Sequence, residues 1–598
     1  MSHASSRTSL PGDFTTDPRV LLLAGMAVLI GAAAVLAAWA LLGLIALCTN
    51  LAYSGRFSFA GGTIDPRPLG WAAVLVPVVG SLIIGLMARY GSEKIRGHGI
   101  PEAMEAILIG QSRIQPKVAV LKPLSSAISI GTGGPFGAEG PIIMTGGAIG
   151  SLFAQCFHMS SAERKTLLVA GAAAGMTAIF ATPIAAVLLA VELLLFEWKP
   201  RSFIPVLAGC LAAALLRGWL LPGGPLFPHA GSLALATPVL LACGALGILC
   251  GLASGLLTAM VYAAEDAFGH LPIHWMLWPA IGGVVVGLGG MIEPHALGVG
   301  YDSIRALLAG GMPDAAVARL LIVKAVIWAV ALGSGTSGGV LAPLLIMGGA
   351  SGALAGNVLP AASPGDWALI GMAAMMGGTM RAPLTATMFA VELTGGAGLL
   401  LPLLAACGAS YAVTVLLLRR SILTEKVARR GHHILREYHV DPFDLARVQD
   451  VMVARVDTLP GSATVAEALA FFATDRPRHK AYPVVDGAGR PVAMLSRADV
   501  LHFTRDPSQA SRPLGEVLGG RTLVLGTPGE PVSALVDRMV RAEAGRVPIV
   551  NPDDGSLVGI VARKDLLRVR ARYLAEESER GRLIGRGRRA MAAGAPAG

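Results

Sequence analysis

The sequence predicts an all-α polytopic membrane protein joined to a smaller soluble α/β region. Of its 598 residues, 54% are hydrophobic and 14% are charged, and the mean hydropathy is +0.64. Such values are typical of a chain that crosses the bilayer many times. The charges are unevenly spread, since residues 419–598 hold 29 basic and 21 acidic side chains and residues 1–418 hold 19 and 17. The soluble part is therefore expected at the C-terminal end.

Composition also argues against several function classes. The basic excess is spread out and accompanies no DNA- or RNA-binding motif, so no nucleic-acid partner is expected. The six cysteines lie in apolar runs without a C-x-x-C pair, which favours buried thiols over a metal site. We expect neither an enzyme nor a required cofactor. Because Lys and Arg favour the cytoplasmic side, both termini are expected in the cytoplasm and the chain in the inner (plasma) membrane.

The first membrane helices follow from long uncharged runs. Residues 20–50 predict one helix and residues 69–88 a second, which ends before Arg89. The uncharged run between Arg19 and Arg56 is too long for a signal peptide. Residues 1–17 are polar and are expected to form a cytosolic tail.

A glycine-rich break at residues 131–141, GTGGPFGAEGP, interrupts the apolar region. It contains five glycines, two prolines and the carboxylate of Glu139. Gly-rich backbone exposes its N–H groups, and Pro141 fits the first turn of a helix. The pattern predicts a non-helical segment that enters a helix N-terminus at membrane depth, where an anion is attracted. An ionisable side chain at that depth indicates a functional site.

The second half of the chain repeats the first. Residues 171–193 align without gaps on residues 371–393, with prolines and glutamates 200 residues apart. The break at 135–144 likewise aligns on 337–346. Gly/Pro-broken segments at matching positions predict a binding site near the membrane midplane, formed by helix N-termini from both halves. Such a site selects anions.

Three ordered motifs resemble the CLC family of chloride channels and proton/chloride exchangers. They are GHGIP (97–101) for the family's GSGIP, GAEGP (137–141) for GREGP, and GVLAP (339–343) for GxFxP. The resemblance covers about residues 18–430 and implies an inverted-repeat core with broken helices. It also implies a homodimer in the lipid bilayer, with one pathway per subunit for chloride and, in exchangers, for protons.

The resemblance assigns roles to individual residues. Glu139 aligns with the family's gating glutamate. The implied anion-binding residues are His98, Gly137, Ala138, Glu139, Gly140, Val340 and Leu341.

Three positions depart from the family pattern. His98 replaces the serine at the inner anion site, Leu423 lies near the position of the facing tyrosine, and Leu193 aligns with the proton-relay glutamate of exchangers. Glu192 takes the neighbouring position. The first two departures leave halide preference open, and the third favours passive conduction over proton coupling. Glu192 and Glu392 are expected to make structural hydrogen bonds. Arg381 is expected to be a structural charge that satisfies the polar groups of a loop.

The soluble region contains two similar units that resemble a tandem pair of CBS domains. Strands are expected at 481–485, 491–495, 547–550 and 557–561, and helices at 464–474, from 496, at 532–544 and from 562. CBS pairs bind adenosine nucleotides at the start of the final helix, which makes ATP or AMP a candidate ligand. The candidate nucleotide-binding residues are Ser496, Asp499 and Asp565.

The predicted domain order is a cytosolic tail (1–17), a CLC-like transmembrane domain (18–420), a linker (421–446), CBS domain 1 (447–506), CBS domain 2 (507–575) and a basic tail (576–598). The predicted function is chloride transport gated by Glu139, with a voltage- or pH-gated channel favoured. A proton/chloride antiporter is the alternative, and a fluoride exporter fits the motifs less well.

Overall fold

The computed structural model describes residues 18–571 except 232, 234, 361–362, 432–442, 444–445 and 474–478. The chain divides into two compact units, Met1–Glu437 and Tyr438–Gly598. That division falls inside the linker predicted at 421–446. The predicted tails at 1–17 and 576–598 lie outside the described residues.

Seventeen α-helices build the described part of the first unit. They are α1 (Arg19–Thr49), α2 (Leu75–Tyr90), α3 (Ile100–Leu108), α4 (Pro116–Gly131), α5 (Glu139–Gln155), α6 (Ser161–Phe180), α7 (Pro183–Leu189), α8 (Pro200–Leu220), α9 (Thr237–Gly269), α10 (Trp278–Ile292), α11 (Tyr301–Ala309), α12 (Asp314–Gly333), α13 (Leu341–Ala355), α14 (Pro364–Met380), α15 (Pro383–Thr394), α16 (Leu400–Leu417) and α17 (Ile422–Arg429). Five-to-six-residue π-helical turns extend α1 (Asn50–Ser54) and α7 (Ala190–Leu195).

Seven helical stretches of the described chain are long and apolar enough to cross a membrane. They are Arg19–Ser54, Arg67–Tyr90, Pro200–Leu220, Thr237–Gly269, Trp275–Ile292, Asp314–Gly333 and Ala397–Arg429. The first two confirm the helices predicted at 20–50 and 69–88. The all-α polytopic architecture is therefore confirmed.

The repeated halves use the same close helix contact. The helix pair α5–α6 meets at Gly146 and Gly171, where a Cβ on Gly171 would lie 2.1 Å from the Gly146 carbonyl oxygen. The pair α13–α14 meets at Gly348 and Gly371, where a Cβ on Gly371 would lie 2.2 Å from the Gly348 carbonyl oxygen. Small residues at such contacts let helix backbones approach inside a membrane protein.

Two glutamates tie the halves together by the same contact in both directions. Glu192 accepts hydrogen bonds from the backbone N–H groups of Leu384 (3.2 Å) and Thr385 (2.8 Å) at the start of α15. Glu392 accepts them from Ile184 (3.0 Å) and Ala185 (2.8 Å) at the start of α7. Each carboxylate therefore caps a helix of the other half, where N–H groups lack intrahelical partners. The structural hydrogen bonds predicted for these glutamates are confirmed.

Arg381 ends α14 with a left-handed backbone conformation, φ +54°. Its guanidinium donates to the carbonyl oxygens of Thr414 (2.8 Å) and Leu418 (2.6 Å), at the end of α16. These acceptors are among the carbonyls that a helix C-terminus leaves without partners. The structural role predicted for Arg381 is confirmed.

The segment predicted as a linker begins with α17, which packs against α3. Ile422 and Leu423 on this helix are fully buried. The Ser421 side chain accepts from the Thr424 N–H and caps the helix. This first part of the segment therefore belongs to the packed membrane unit.

The second unit contains two small α/β repeats. Strands β1 (Leu459–Pro460), β2 (Ala481–Val485) and β3 (Pro491–Ser496) form one sheet, and β4 (Arg546–Val550) and β5 (Leu557–Ala562) form another. β2 and β3 are antiparallel, as are β4 and β5, whereas β1 and β2 are parallel. The helices are α18 (Val448–Val451), α19 (Val465–Ala473), α20 (Arg497–Arg505), α21 (Leu514–Leu518) and α22 (Val532–Arg541), and residues 563–571 are also helical. The four predicted strands are confirmed to within one residue at each end.

We predict that Gly171→Ala destabilises the protein, because the added Cβ meets backbone rather than a movable side chain. The expected loss is about 1–3 kcal/mol, seen as a lower midpoint in thermal unfolding of the detergent-purified protein. Gly408→Ala in α16 is the matched control, since its Cβ would meet nothing within 4 Å. Equal midpoints for the two variants would show that the α5–α6 contact tolerates the methyl group.

Candidate functional site

Two glycine segments, one from each half, pair through their backbones. The Gly137 N–H donates to the Gly339 carbonyl oxygen (3.1 Å), and the Gly339 N–H donates to the Gly137 carbonyl oxygen (2.8 Å). A Cβ on Gly339 would lie 2.6 Å from that Gly137 oxygen. Glycine is therefore required at position 339, where the two backbones are in close contact. The pairing brings the N-termini of α5 and α13 to one point.

Glu139 occupies that point. Its side chain is fully buried, with 0% of its surface exposed. Oε1 accepts a hydrogen bond from the Ala342 N–H (3.1 Å) in the first turn of α13, while Oε2 is buried without a hydrogen-bond partner among the described residues. The carboxylate from one half therefore lies on the helix N-terminus of the other half, which is where a free anion would bind.

The other predicted backbone ligands lie at the starts of α5 and α13. Ala138, Gly140, Val340 and Leu341 are all buried at the two helix starts. The Gly137 N–H is already donated to Gly339, so Gly137 contributes by holding the two segments together.

The donor from α13 is Ala342, which sequence analysis did not include. It is the second residue of its helix, and the N–H groups of a first turn have no intrahelical partners. Its position just before Pro343, which marks the first turn of a helix, could have identified it from the sequence.

His98 lies beside the start of α5. A Cβ on Gly140 would lie 1.9 Å from the His98 carbonyl oxygen, so the two backbones are in close contact. The imidazole is 1% exposed, and its Nδ1 is buried without a hydrogen-bond partner in the described structure. With the ring proton on Nδ1, the imidazole has a free donor that an anion can accept.

Charged side chains hold the loop that carries His98. Glu102 accepts from the Gly99 N–H (2.8 Å) and forms an ion pair with Arg430 (3.1 Å). Lys122, which is fully buried, donates to the carbonyl oxygens of Ile95 (2.8 Å) and Gly97 (2.6 Å). The loop is thus fixed by both a carboxylate and an ammonium group.

A second buried lysine repeats this arrangement in the other half. Lys324 donates to the carbonyl oxygens of Ala296 (2.8 Å) and Gly298 (3.0 Å), just before α11. It also interacts electrostatically with Glu139. Sequence analysis did not select Lys324. It could have been found, because it is a lysine inside the otherwise apolar run of α12 and aligns with Lys122 in the repeat.

A cavity of about 1400 Å³ lies next to this region. Its lining includes Arg67, His295, Tyr301 and Arg305. The Tyr301 hydroxyl is buried without a hydrogen-bond partner among the described residues. The cavity is therefore lined by polar and cationic groups.

Two of the three departures from the family pattern, Leu193 and Leu423, are apolar residues inside the packed unit. Leu193 and Leu423 are fully buried. The Tyr262 hydroxyl donates to the carbonyl oxygen of Ile422 (2.5 Å), next to Leu423. Glu192, beside Leu193, is engaged with the start of α15.

In the second unit, the candidate nucleotide residues form helix caps. Asp499 Oδ2 accepts from the Ser496 N–H (2.8 Å), and Oδ1 accepts from Arg521 (2.5 Å). Burial favours protonation of Asp499, but these hydrogen bonds outweigh it and hold its pKa below the usual value. Asp565 accepts from the Ala562 N–H (2.9 Å) and pairs with Arg568 (3.4 Å). Both carboxylates are therefore already engaged.

Comparison with protein families gives matches over both units. Residues 80–415 match the family described as voltage gated chloride channel, and residues 448–506 and 524–572 match the CBS domain. A Ralstonia nicotianae protein whose name describes it as ClcB-like is 31% identical over 61% of this chain and 88% of its own length. The H⁺/Cl⁻ exchange transporter ClcA of Citrobacter koseri is 30% identical over 56% of this chain and 75% of its own length.

Two solved structures share the fold. A slow cyanobacterial Cl⁻/H⁺ antiporter aligns with a TM-score of 0.61 and 22% identity, over 70% of this chain and 99% of its own. A eukaryotic CLC transporter aligns with a TM-score of 0.56 and 21% identity, over 92% of this chain and 98% of its own. The fold and the family match agree with the paired helix N-termini. The chain is therefore a multi-pass member of the CLC family of chloride transport proteins, and it carries a tandem pair of CBS domains.

Proposed function

We propose that this protein transports chloride along a path that Glu139 gates. The observation that carries the proposal is the hydrogen bond from the Ala342 N–H to the Glu139 carboxylate, which places the carboxylate on the N-terminus of α13. Chloride and the ionised carboxylate compete for the same partial positive charge. The path is closed while the carboxylate is bound. It opens when chloride displaces the carboxylate or when Glu139 is protonated, because the neutral acid binds the helix N-terminus more weakly.

We predict that Glu139→Gln removes the pH dependence of chloride flux in liposomes, because an amide does not titrate in this range. The measurement is chloride efflux across a series of pH values. Glu392→Gln is the matched control, since it removes another carboxylate from a helix N-terminus. The control is expected to keep the pH dependence, and an unchanged profile in Glu139→Gln would refute the gate.

We favour passive, voltage- or pH-gated conduction over proton coupling. Leu193 is apolar and fully buried where exchangers carry a relay glutamate, and Glu192 is held by hydrogen bonds to α15. Proton/chloride antiport is the alternative, and the ClcA relative, named as an exchange transporter, favours it. The motifs give less support to fluoride export, which a ratio of fluoride to chloride flux tests.

The two mechanisms predict different reversal potentials in a planar bilayer. A passive channel reverses at the chloride equilibrium potential whatever the pH gradient. A coupled exchanger shifts its reversal potential when the pH gradient alone is changed. We expect no such shift, and a reproducible shift would establish the antiporter.

We propose that the His98 imidazole is an anion ligand. Its Nδ1 is buried without a partner in the described structure, and its backbone carbonyl contacts Gly140 at the start of α5. A hydrogen bond to a charged group contributes about 1.5–3 kcal/mol. We therefore predict that His98→Leu weakens chloride binding roughly tenfold or more, whereas His98→Asn, which keeps a donor, weakens it less. Calorimetric titration of the full-length protein with chloride measures both, and equal affinities would leave His98 a structural residue.

The remaining proposals concern assembly and regulation. We place the protein as a homodimer in the inner membrane with cytoplasmic termini, by analogy with the family. ATP or AMP is the candidate ligand of the CBS pair, with Ser496, Asp499 and Asp565 as its contacts. Because Arg521 already binds Asp499, a nucleotide ribose there would have to displace it. ATP titration of the full-length protein, with Asp499→Asn as the control, tests this site.

A further inference from the structure

Lys324 carries a buried charge that its direct contacts do not neutralise. The side chain is 0% exposed, and its ammonium group donates to two carbonyl oxygens, those of Ala296 and Gly298. In the described part of the chain, no carboxylate lies within ion-pair distance of it. A buried ammonium without a counter-charge is strongly unfavourable. A negative charge nearby is therefore needed for Lys324 to remain ionised.

The acidic side chains of the segment that Lys324 contacts are paired with other cations. Glu293 pairs with Arg319 (2.6 Å) and His295 (2.8 Å), and Asp302 pairs with Arg305 (2.7 Å). Glu139 is different, because its hydrogen-bond partners are backbone groups and it interacts electrostatically with Lys324.

The packing also places Lys324 close to the anion site. Its Nζ is 3.7 Å from where a Cβ on Gly300 would lie, and Ile346 of α13 packs against the same position. Helix α12, which carries Lys324, packs against α13. The ammonium group is thus next to the helix whose N-terminus holds Glu139.

We propose that Lys324 is the fixed positive charge of the anion site, so that the site holds one negative charge at all times. That charge is either the Glu139 carboxylate or a chloride ion. This inference rests on the proposed competition between the two anions. Exchange of one anion for the other then leaves the charge of the buried site unchanged, which avoids exposing an unpaired ammonium to a dry environment.

Lys165 offers a control outside the anion site. Its ammonium group donates to the Leu195 carbonyl oxygen (3.1 Å) and pairs with Glu197 (3.1 Å). A hydrogen bond to a backbone carbonyl is therefore common to Lys165 and Lys324, whereas the interaction with Glu139 belongs to Lys324.

The test is calorimetric titration of the full-length protein with chloride in the Glu139→Gln background, where chloride has no competing carboxylate. Adding Lys324→Gln removes the charge but keeps an N–H donor for the loop carbonyls, and we expect chloride affinity to fall tenfold or more. Lys324→Arg keeps the charge and should stay within about threefold of the Glu139→Gln protein, and so should Lys165→Gln. Lys324→Met serves as a second neutral variant if the Gln variant does not fold.

A further comparison separates the effect of losing the Lys324 charge from a structural effect of the substitution. With Glu139 present, Lys324→Gln weakens both competing anions, so apparent chloride affinity should change less than in the Glu139→Gln background. Unchanged affinity in the Glu139→Gln/Lys324→Gln double variant, or an equal loss with Lys165→Gln, would overturn the inference. The proposal that Glu139 is the gate is tested separately. It is refuted only if the Glu139→Gln single variant keeps pH-dependent flux.

Discussion

The two backbone hydrogen bonds between Gly137 and Gly339 are the contact on which the rest of the site depends. Non-helical backbone inside a membrane protein must find partners within the protein, and here each broken segment is the partner of the other. Because neither residue has a side chain, the segments approach closely enough for α5 and α13 to start at the same place. The pocket formed by their N–H groups then follows from geometry, and Glu139 is the residue that fills it.

The two halves share the same helix packing contacts but differ at the anion site. Glycine contacts between helices, glutamate caps and buried lysines recur at matching positions in both, as with Glu192 and Glu392. The carboxylate at the paired segments comes from the first half alone, at Glu139, and Leu341 begins the corresponding helix of the second half. A symmetrical scaffold thus supports an asymmetric site, in which one half supplies the competing anion and the other supplies the helix start that binds it.

Buried charges cluster around the broken segments because those segments present carbonyl oxygens and N–H groups that regular helices satisfy internally. Lys122 and Lys324 take up carbonyl oxygens, and Glu102 takes up an N–H group. Each charge is thereby hydrogen-bonded to backbone, which lowers the cost of its burial. The same groups hold the loops in place, and Lys324 also interacts electrostatically with Glu139.

The sequence by itself determined the membrane architecture, the repeat, the position of the breaks and most strands of the soluble unit. These features depend on local composition and periodicity, which a single chain displays directly. It also identified Glu139 and His98, because a carboxylate and an imidazole in glycine-rich breaks are chemically conspicuous. The tertiary structure alone decided that Ala342 is the donor to Glu139 and that Lys324 is the nearby cation. Those contacts join residues about 200 positions apart, and the packing of one half against the other sets them.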